Sequence, residues 1–180
     1  MASIFSHAIV ASGIGRALPK NVRNWKLIFF GVFCACIPDA DVLSFTFGIP
    51  YESMFGHRGF FHSFFFNMLL ALLIVFSWYK TDPKKILIAA YLFICGATHG
   101  LLDAMTTGGT GIAFFSPFDE TRYFLPWRVI QVSPIGVGKF FSEWGVRVIK
   151  SELYWIILPT VLFVLMKIAA EKISNRQQKV

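Results

Sequence analysis

His99 and Asp103 stand one helical turn apart in ATHGLLDAMTTGG, near the end of an apolar run. An i, i+4 spacing puts both side chains on one helix face, with roughly 5–6 Å between Cβ atoms. An imidazole and a carboxylate so placed can grip one divalent cation or two neighbouring ones. From Ile86 to Leu102 the run holds no formally charged side chain, so it reads as a membrane-embedded helix. An ionisable residue at that depth costs about 2.5–3.5 kcal/mol on insertion scales, so it usually marks function.

The other candidates sit in two further motifs and one short helix. His57 and His62 bracket HRGFFHS, and Asp39 and Asp41 follow Pro38 in PDADVL. His7 interrupts the apolar segment from Ile4 to Gly15. These are all 4 histidines of the chain. Histidine and carboxylate without cysteine suit Zn²⁺, and also Mn²⁺ or Fe²⁺; ligand type alone does not choose among them. Cys34, Cys36 and Cys95 lie in apolar runs and read as small packing residues, although Cys95 precedes His99 by one turn.

Composition sets the class of scaffold. The 180 residues are 56% hydrophobic and 15% charged, with 21 Phe, against about 25% charged in an ordinary globular chain. The expected fold is all-α, a polytopic membrane helical bundle forming one domain over 1–180. Residues 1–43 form a hairpin of short helices, Ile4 to Gly15 and Leu27 to Ile37, around the basic turn at 16–26. That hairpin brings His7 level with Asp39.

Residues 57–105 hold two membrane helices: Phe60 to Tyr79, with His62 in its first turn, and the run carrying His99 and Asp103. Residues 106–150 form a folded interfacial loop, too aromatic for disorder. A last membrane helix spans 151–170, kinked at Pro159, and 171–180 is a basic tail. The N-terminus lacks the basic n-region of a secretory signal and is expected to be retained.

The net charge of +7 needs no nucleic acid, because the basic residues are dispersed at helix ends. Arg16, Lys20, Arg23, Lys26, Lys80, Lys84, Lys85, Lys167, Lys172, Arg176 and Lys179 share one side if the helices alternate, and the positive-inside rule makes that side cytoplasmic. All four histidines and Asp39, Asp41 and Asp103 then converge at the external end. The membrane lipids are the expected surroundings; oligomeric state has no sequence signal.

His7, PDADVL, HRGFFHS, THGLLDAMTTGG and FSPFDETRYFLPW together resemble the YdjM-type family of bacterial inner-membrane proteins, described as metal-dependent hydrolases. The likeness covers residues 1 to about 135. That family is similar in turn to zinc-dependent phospholipase C and the zinc nucleases, helical enzymes that cleave phosphoesters.

The resemblance implies a hydrolase with metal ligands at His7, Asp39 or Asp41, His57, His62, His99 and Asp103. No His follows His99, so the trinuclear site of the soluble enzymes cannot be rebuilt; one or two ions is the expected count. A metal-activated water would attack phosphorus or a carbonyl of a lipid or phosphorylated substrate. Asp39 is favoured as ligand and Asp41 as base or orienter, with Arg58 placed to hold a phosphate oxygen and Arg122 a weaker candidate for that contact. Thr106, Thr107 and Gly108 offer donors or simply end the helix. A metal transporter is the rival reading, but it needs polar residues continuing inward, where the sequence offers little beyond Asn67.

Overall fold

The computed structural model describes residues 1–177, so Lys179 and Val180 of the basic tail lie outside the described residues. Helix α1 (Ile4–Gly15) starts where the Ser3 side chain accepts from Ser6 N–H, and α2 (Trp25–Cys36) where Asn24 does the same for Leu27. At Pro38 the chain tightens into a 3₁₀ helix, Ile37–Phe47, which ends at Gly48 with φ +68°. Runs of 3₁₀ beyond three or four residues are uncommon, and this one has 11. The second limb of the hairpin is therefore longer than the sequence suggested. As Trp25–Phe47, with 23 residues, it is long and apolar enough to cross a membrane.

Two such spans follow, Lys85–Ala104, which is α4, and Glu143–Gln177. Helix α3 begins only at Phe64 and runs to Trp78, 15 residues, because the Ser63 side chain caps it by accepting from Phe66 N–H. His62 consequently sits in a separate 3₁₀ turn, Phe60–His62, ahead of the helix rather than in its first turn. Helices α1, α2 and α3 pack against α4 around Leu27, Ala71, Ile74, Ile88, Tyr91 and Leu92. Gly31 allows the α2–α4 approach, since a Cβ there would run into the Tyr91 hydroxyl.

A four-residue helix α5 (Val137–Phe140) precedes the last span, which is longer than the run from Leu153 onward that the sequence marked. It comprises α6 (Glu143–Glu152), a π turn over Leu153–Ile157 and α7 (Leu158–Gln177). In the π turn Leu158 N–H bonds Leu153 O, five residues back, immediately before Pro159. The irregularity expected from the proline takes this form.

Glu152, buried in α6, anchors α1 by accepting from Ser3 N–H at 2.5 Å and from the Ser3 and Ser6 hydroxyls. Arg16 and Arg23 reach Glu171 at 2.8 and 3.4 Å, which ties the basic turn to α7 at one end of the bundle. The segment between α4 and α5 is held by isolated bridges, Thr106 to Ile130 and Ile112 to Tyr123, with no extended strand among the described residues.

Candidate metal centre

Four side chains from three elements converge beneath that irregular segment. The 3₁₀ helix supplies Asp39, the turn before α3 supplies His62, and the last two turns of α4 supply His99 and Asp103. All four are buried, and one donor atom from each lies within 4.8 Å of the others. His62 Nε2 and His99 Nε2 stand 3.0 Å apart. Asp39 Oδ1 is 3.4 Å from His99 Nε2 and 3.9 Å from His62 Nε2, while Asp103 Oδ2 is 4.0 and 3.7 Å from the same two atoms. A tetrahedral ion with bonds near 2.1 Å separates its donors by about 3.4 Å, so the cluster has the right size.

The surrounding contacts set the His99 tautomer, and with it the case for a cation. His99 Nδ1 lies 2.7 Å from the Ala35 carbonyl, which can only accept, so its proton is on Nδ1. His62 Nδ1 lies 3.0 Å from Asp41 Oδ2, near that carboxylate but without hydrogen-bond geometry. His99 Nε2 therefore presents its lone pair to the site, facing His62 Nε2. Neither oxygen of Asp39 has a hydrogen-bond partner, nor does Asp103 Oδ2. Buried acceptors left in this state are strongly destabilising, by about 1–3 kcal/mol each and more when charged. A divalent cation between them takes one donor atom from each of the four residues; the donor set fits the group.

Asp41 stands behind the cluster. Its Oδ1 is 2.5 Å from His57 Nδ1, and its Oδ2 accepts from Arg58 N–H at 2.9 Å as well as facing His62. A carboxylate on the far nitrogen of a ligating histidine fixes its ring and raises its basicity. Asp41 thus lies on the Nδ1 side of both His57 and His62. His57 is held by Asp41 one layer away and is not among the four. His7, on α1, stacks on His99 with centroids 3.8 Å apart, and its Nε2 is 3.5 Å from Asp103 Oδ1.

Arg58 does not present its guanidinium to bulk water. It is buried at φ +67°, a strained backbone for a residue other than glycine. Its Nη1 donates to Gly108 O, its Nη2 to Thr106 Oγ1, and its Nε stands 3.7 Å from Asp103 Oδ2. Thr106 and Gly108 therefore serve Arg58 as acceptors.

Arg122 donates to the carbonyls of His57, Tyr51 and Ser53, clamping the loop that carries His57. Burial lowers the Arg122 pKa from its ordinary value. Cys95 points to Ala11 O rather than to the cluster.

Two cavities come up to this outer layer. One of about 450 Å³ is lined by Ile37, Leu43, Phe47, Phe61 and Phe66, with Asp41 at its polar edge. The other, about 330 Å³, is lined by Tyr51, His57, Arg58, Lys139 and Trp144.

An all-helical chain with membrane-length spans and a buried His/Asp cluster defines a polytopic membrane protein with a candidate metal centre. It belongs to the YdjM inner membrane protein family, whose pattern matches residues 1–175. It is 41% identical over 167 residues to the inner membrane protein YbcI of Escherichia coli (strain K12), covering 90% of this chain and 94% of that one. No solved structure matches.

Proposed function

We propose that this inner-membrane protein is a metal-dependent hydrolase that cleaves a phosphoester of a lipid or lipid-linked substrate. The observation that carries the reading is the pair of facing Nε2 atoms set between unpartnered buried carboxylates. Asp39, His62, His99 and Asp103 hold the ion, Zn²⁺ before Mn²⁺ or Fe²⁺. When bound, the ion supplies Lewis acidity and an activated water.

The chain's own residues do the rest. Asp41 holds His57 and lies beside His62, and the Arg58 guanidinium lies 3.7 Å from Asp103. An aromatic cavity on Asp41's side, and a second cavity where His57, Arg58 and Lys139 join a mainly apolar lining, offer room for a lipid phosphate and its chain. The motifs' resemblance to the YdjM-type family, itself described as similar to zinc-dependent phospholipase C, implies the same chemistry.

One observation favours a non-catalytic metal-binding role: four protein donors fill a tetrahedral ion, as in structural zinc sites. Transport has less support, because the bundle core on the cytoplasmic side of the cluster is apolar through Leu27, Ile74, Ile88 and Leu92. Metal-loaded protein should hydrolyse a phosphatidic acid or lipid-phosphate analogue and lose that activity on chelation. Metal uptake by proteoliposomes without hydrolysis would put the transporter in its place.

The site faces the external side in this reading. Its support is the basic turn and α7 sharing one end through Glu171. A reporter fused after Val180 is expected to behave as cytoplasmic, and one inserted near Gly111 as external. The reverse pattern would turn the protein over in the membrane and leave the site as it is.

A further inference from the structure

We infer that the groove between α1 and α7 binds one anionic phospholipid, with an acyl chain along its walls and the headgroup on Arg16, Lys20 and Arg23. This site goes beyond the hydrolytic reading, and its headgroup end is the end of α1 remote from the metal centre. No described residue of α7 is buried, and the helix packs along α1. The pairing is fastened at two places, by Ser3 and Ser6 on Glu152 ahead of α7 and by Arg16 on Glu171. Between them lies a cavity of about 440 Å³. Ala8, Ser12 and Gly13 line one wall, and Val161, Val164 and Leu165 the other.

The walls present hydrocarbon even where they carry hydroxyls. Ser12 Oγ donates to Ala8 O at 2.8 Å and Thr160 Oγ1 to Ile156 O at 2.7 Å, so both bond back into their own helices. Gly13 lets the helices meet at the floor, since a Cβ there would stand 2.5 Å from Thr160 Cγ2. From Ala8 to Arg16 the groove runs about 12 Å at about 1.5 Å per residue. That is close to one leaflet's share of a ~30 Å hydrocarbon core. An acyl chain of a single leaflet fits it.

Charge selects the headgroup. Arg16 and Arg23 reach Glu171 at 2.8 and 3.4 Å, and Lys20 reaches Asn175, one turn further on, at 3.4 Å. Glu171 neutralises one of these three cations and leaves two. Lys172 and Arg176 are exposed and continue the line of α7 that passes through Val161, Leu165 and Ile168. A second copy of the chain would bring the same cations to the same place and be repelled. A negatively charged phosphodiester on an apolar chain suits both the foot of the groove and its walls. Seated there, the lipid fastens α7 to the bundle along a helix that buries no described side chain of its own.

Native mass spectrometry of the purified full chain in a neutral detergent, titrated with phosphatidylglycerol or phosphatidylcholine, tests this. A basic residue near the headgroups is worth about 5-fold in affinity for an anionic lipid. With two surplus cations, the wild type should hold one phosphatidylglycerol about 25-fold more tightly than phosphatidylcholine. Lys20→Gln and Arg23→Gln should each cost about 5-fold for phosphatidylglycerol and leave phosphatidylcholine unchanged. Ser12→Trp and Val161→Trp, from opposite walls and at exposed positions, fill the groove and should abolish the tight class. Lys84→Gln combined with Lys85→Gln, in the turn before α4, should change nothing. Phosphatidylglycerol should also raise the melting temperature of the wild type, and inorganic phosphate should not.

Equal affinity for the two lipids overturns the part given to charge. A tight phosphatidylglycerol that survives in a folded tryptophan variant places the lipid elsewhere and overturns the groove. An equal loss in the Lys84 and Lys85 variant reduces the effect to general surface attraction and overturns the site. Stabilisation by inorganic phosphate alone makes it an anion site without a chain. A dimer that disappears in Ser12→Trp gives the groove to a second copy of the chain instead.

Discussion

Changing His99 or His62 to alanine should strip tightly bound metal from the purified protein, whereas Cys95→Ala should leave it in place. Each histidine offers the cluster one Nε2; the other nitrogen of His99 is committed to Ala35 O, and that of His62 lies 3.0 Å from Asp41. Removing an outer partner of a metal ligand typically costs 10–100-fold in affinity, so removing the ligand itself costs more than about 100-fold. The loss also appears in thermal stability. A metal present at about 1,000 times its dissociation constant stabilises a fold by about 4 kcal/mol, or about 10 °C in a chain of this size.

That metal-dependent rise should vanish in both histidine variants and persist in Cys95→Ala. The thiol lies one turn from His99 in sequence, but it faces α1. Full metal retention in His99→Ala, or its loss in Cys95→Ala alone, would sink the assignment.

The sequence shows the class of fold because a bilayer imposes its demands on composition directly: long apolar runs are visible without knowing what they pack against. The i, i+4 pair on α4 is equally visible, since a regular helix converts spacing into geometry. Asp39 and Asp41 are harder. Their residue types mark them, but their directions depend on an unusually long 3₁₀ helix, which no simple periodicity announces.

His57 and His62 look equivalent in HRGFFHS, and only the strained turn at Arg58 separates them, placing His62 in the cluster and His57 behind it. Helix α3 starts later than its apolar run because a small residue, Ser63, outweighs the five phenylalanines around it by satisfying an end donor. Glu152 and the Ala35 carbonyl carried no signal. A buried glutamate capping α1 from the far end of the chain, and a backbone oxygen fixing a tautomer, are products of tertiary contact alone.

Asp41→Asn separates chemistry from metal retention. The native carboxylate serves three groups at once: His57 Nδ1, Arg58 N–H and the Nδ1 side of His62. Asparagine keeps the shape but offers a single accepting oxygen, and its amide nitrogen must then face one of two imidazole N–H groups. The variant should therefore fold and bind metal about 10–100-fold more weakly, an effect that saturating metal overcomes. Hydrolysis of the lipid-phosphate analogue should still fall by about 100-fold or more at saturation, because His57 is no longer held at the cavity it lines and the negative charge behind both histidines is lost.

His57→Gln provides the decisive companion. If Asp41 acts by orienting His57, the double variant is little worse than either single one, since the two residues work as a unit. If Asp41 itself takes the proton, the losses multiply. Unchanged turnover in metal-replete Asp41→Asn would take Asp41 out of the reaction altogether, leaving it the narrower task of keeping His62 turned towards the ion.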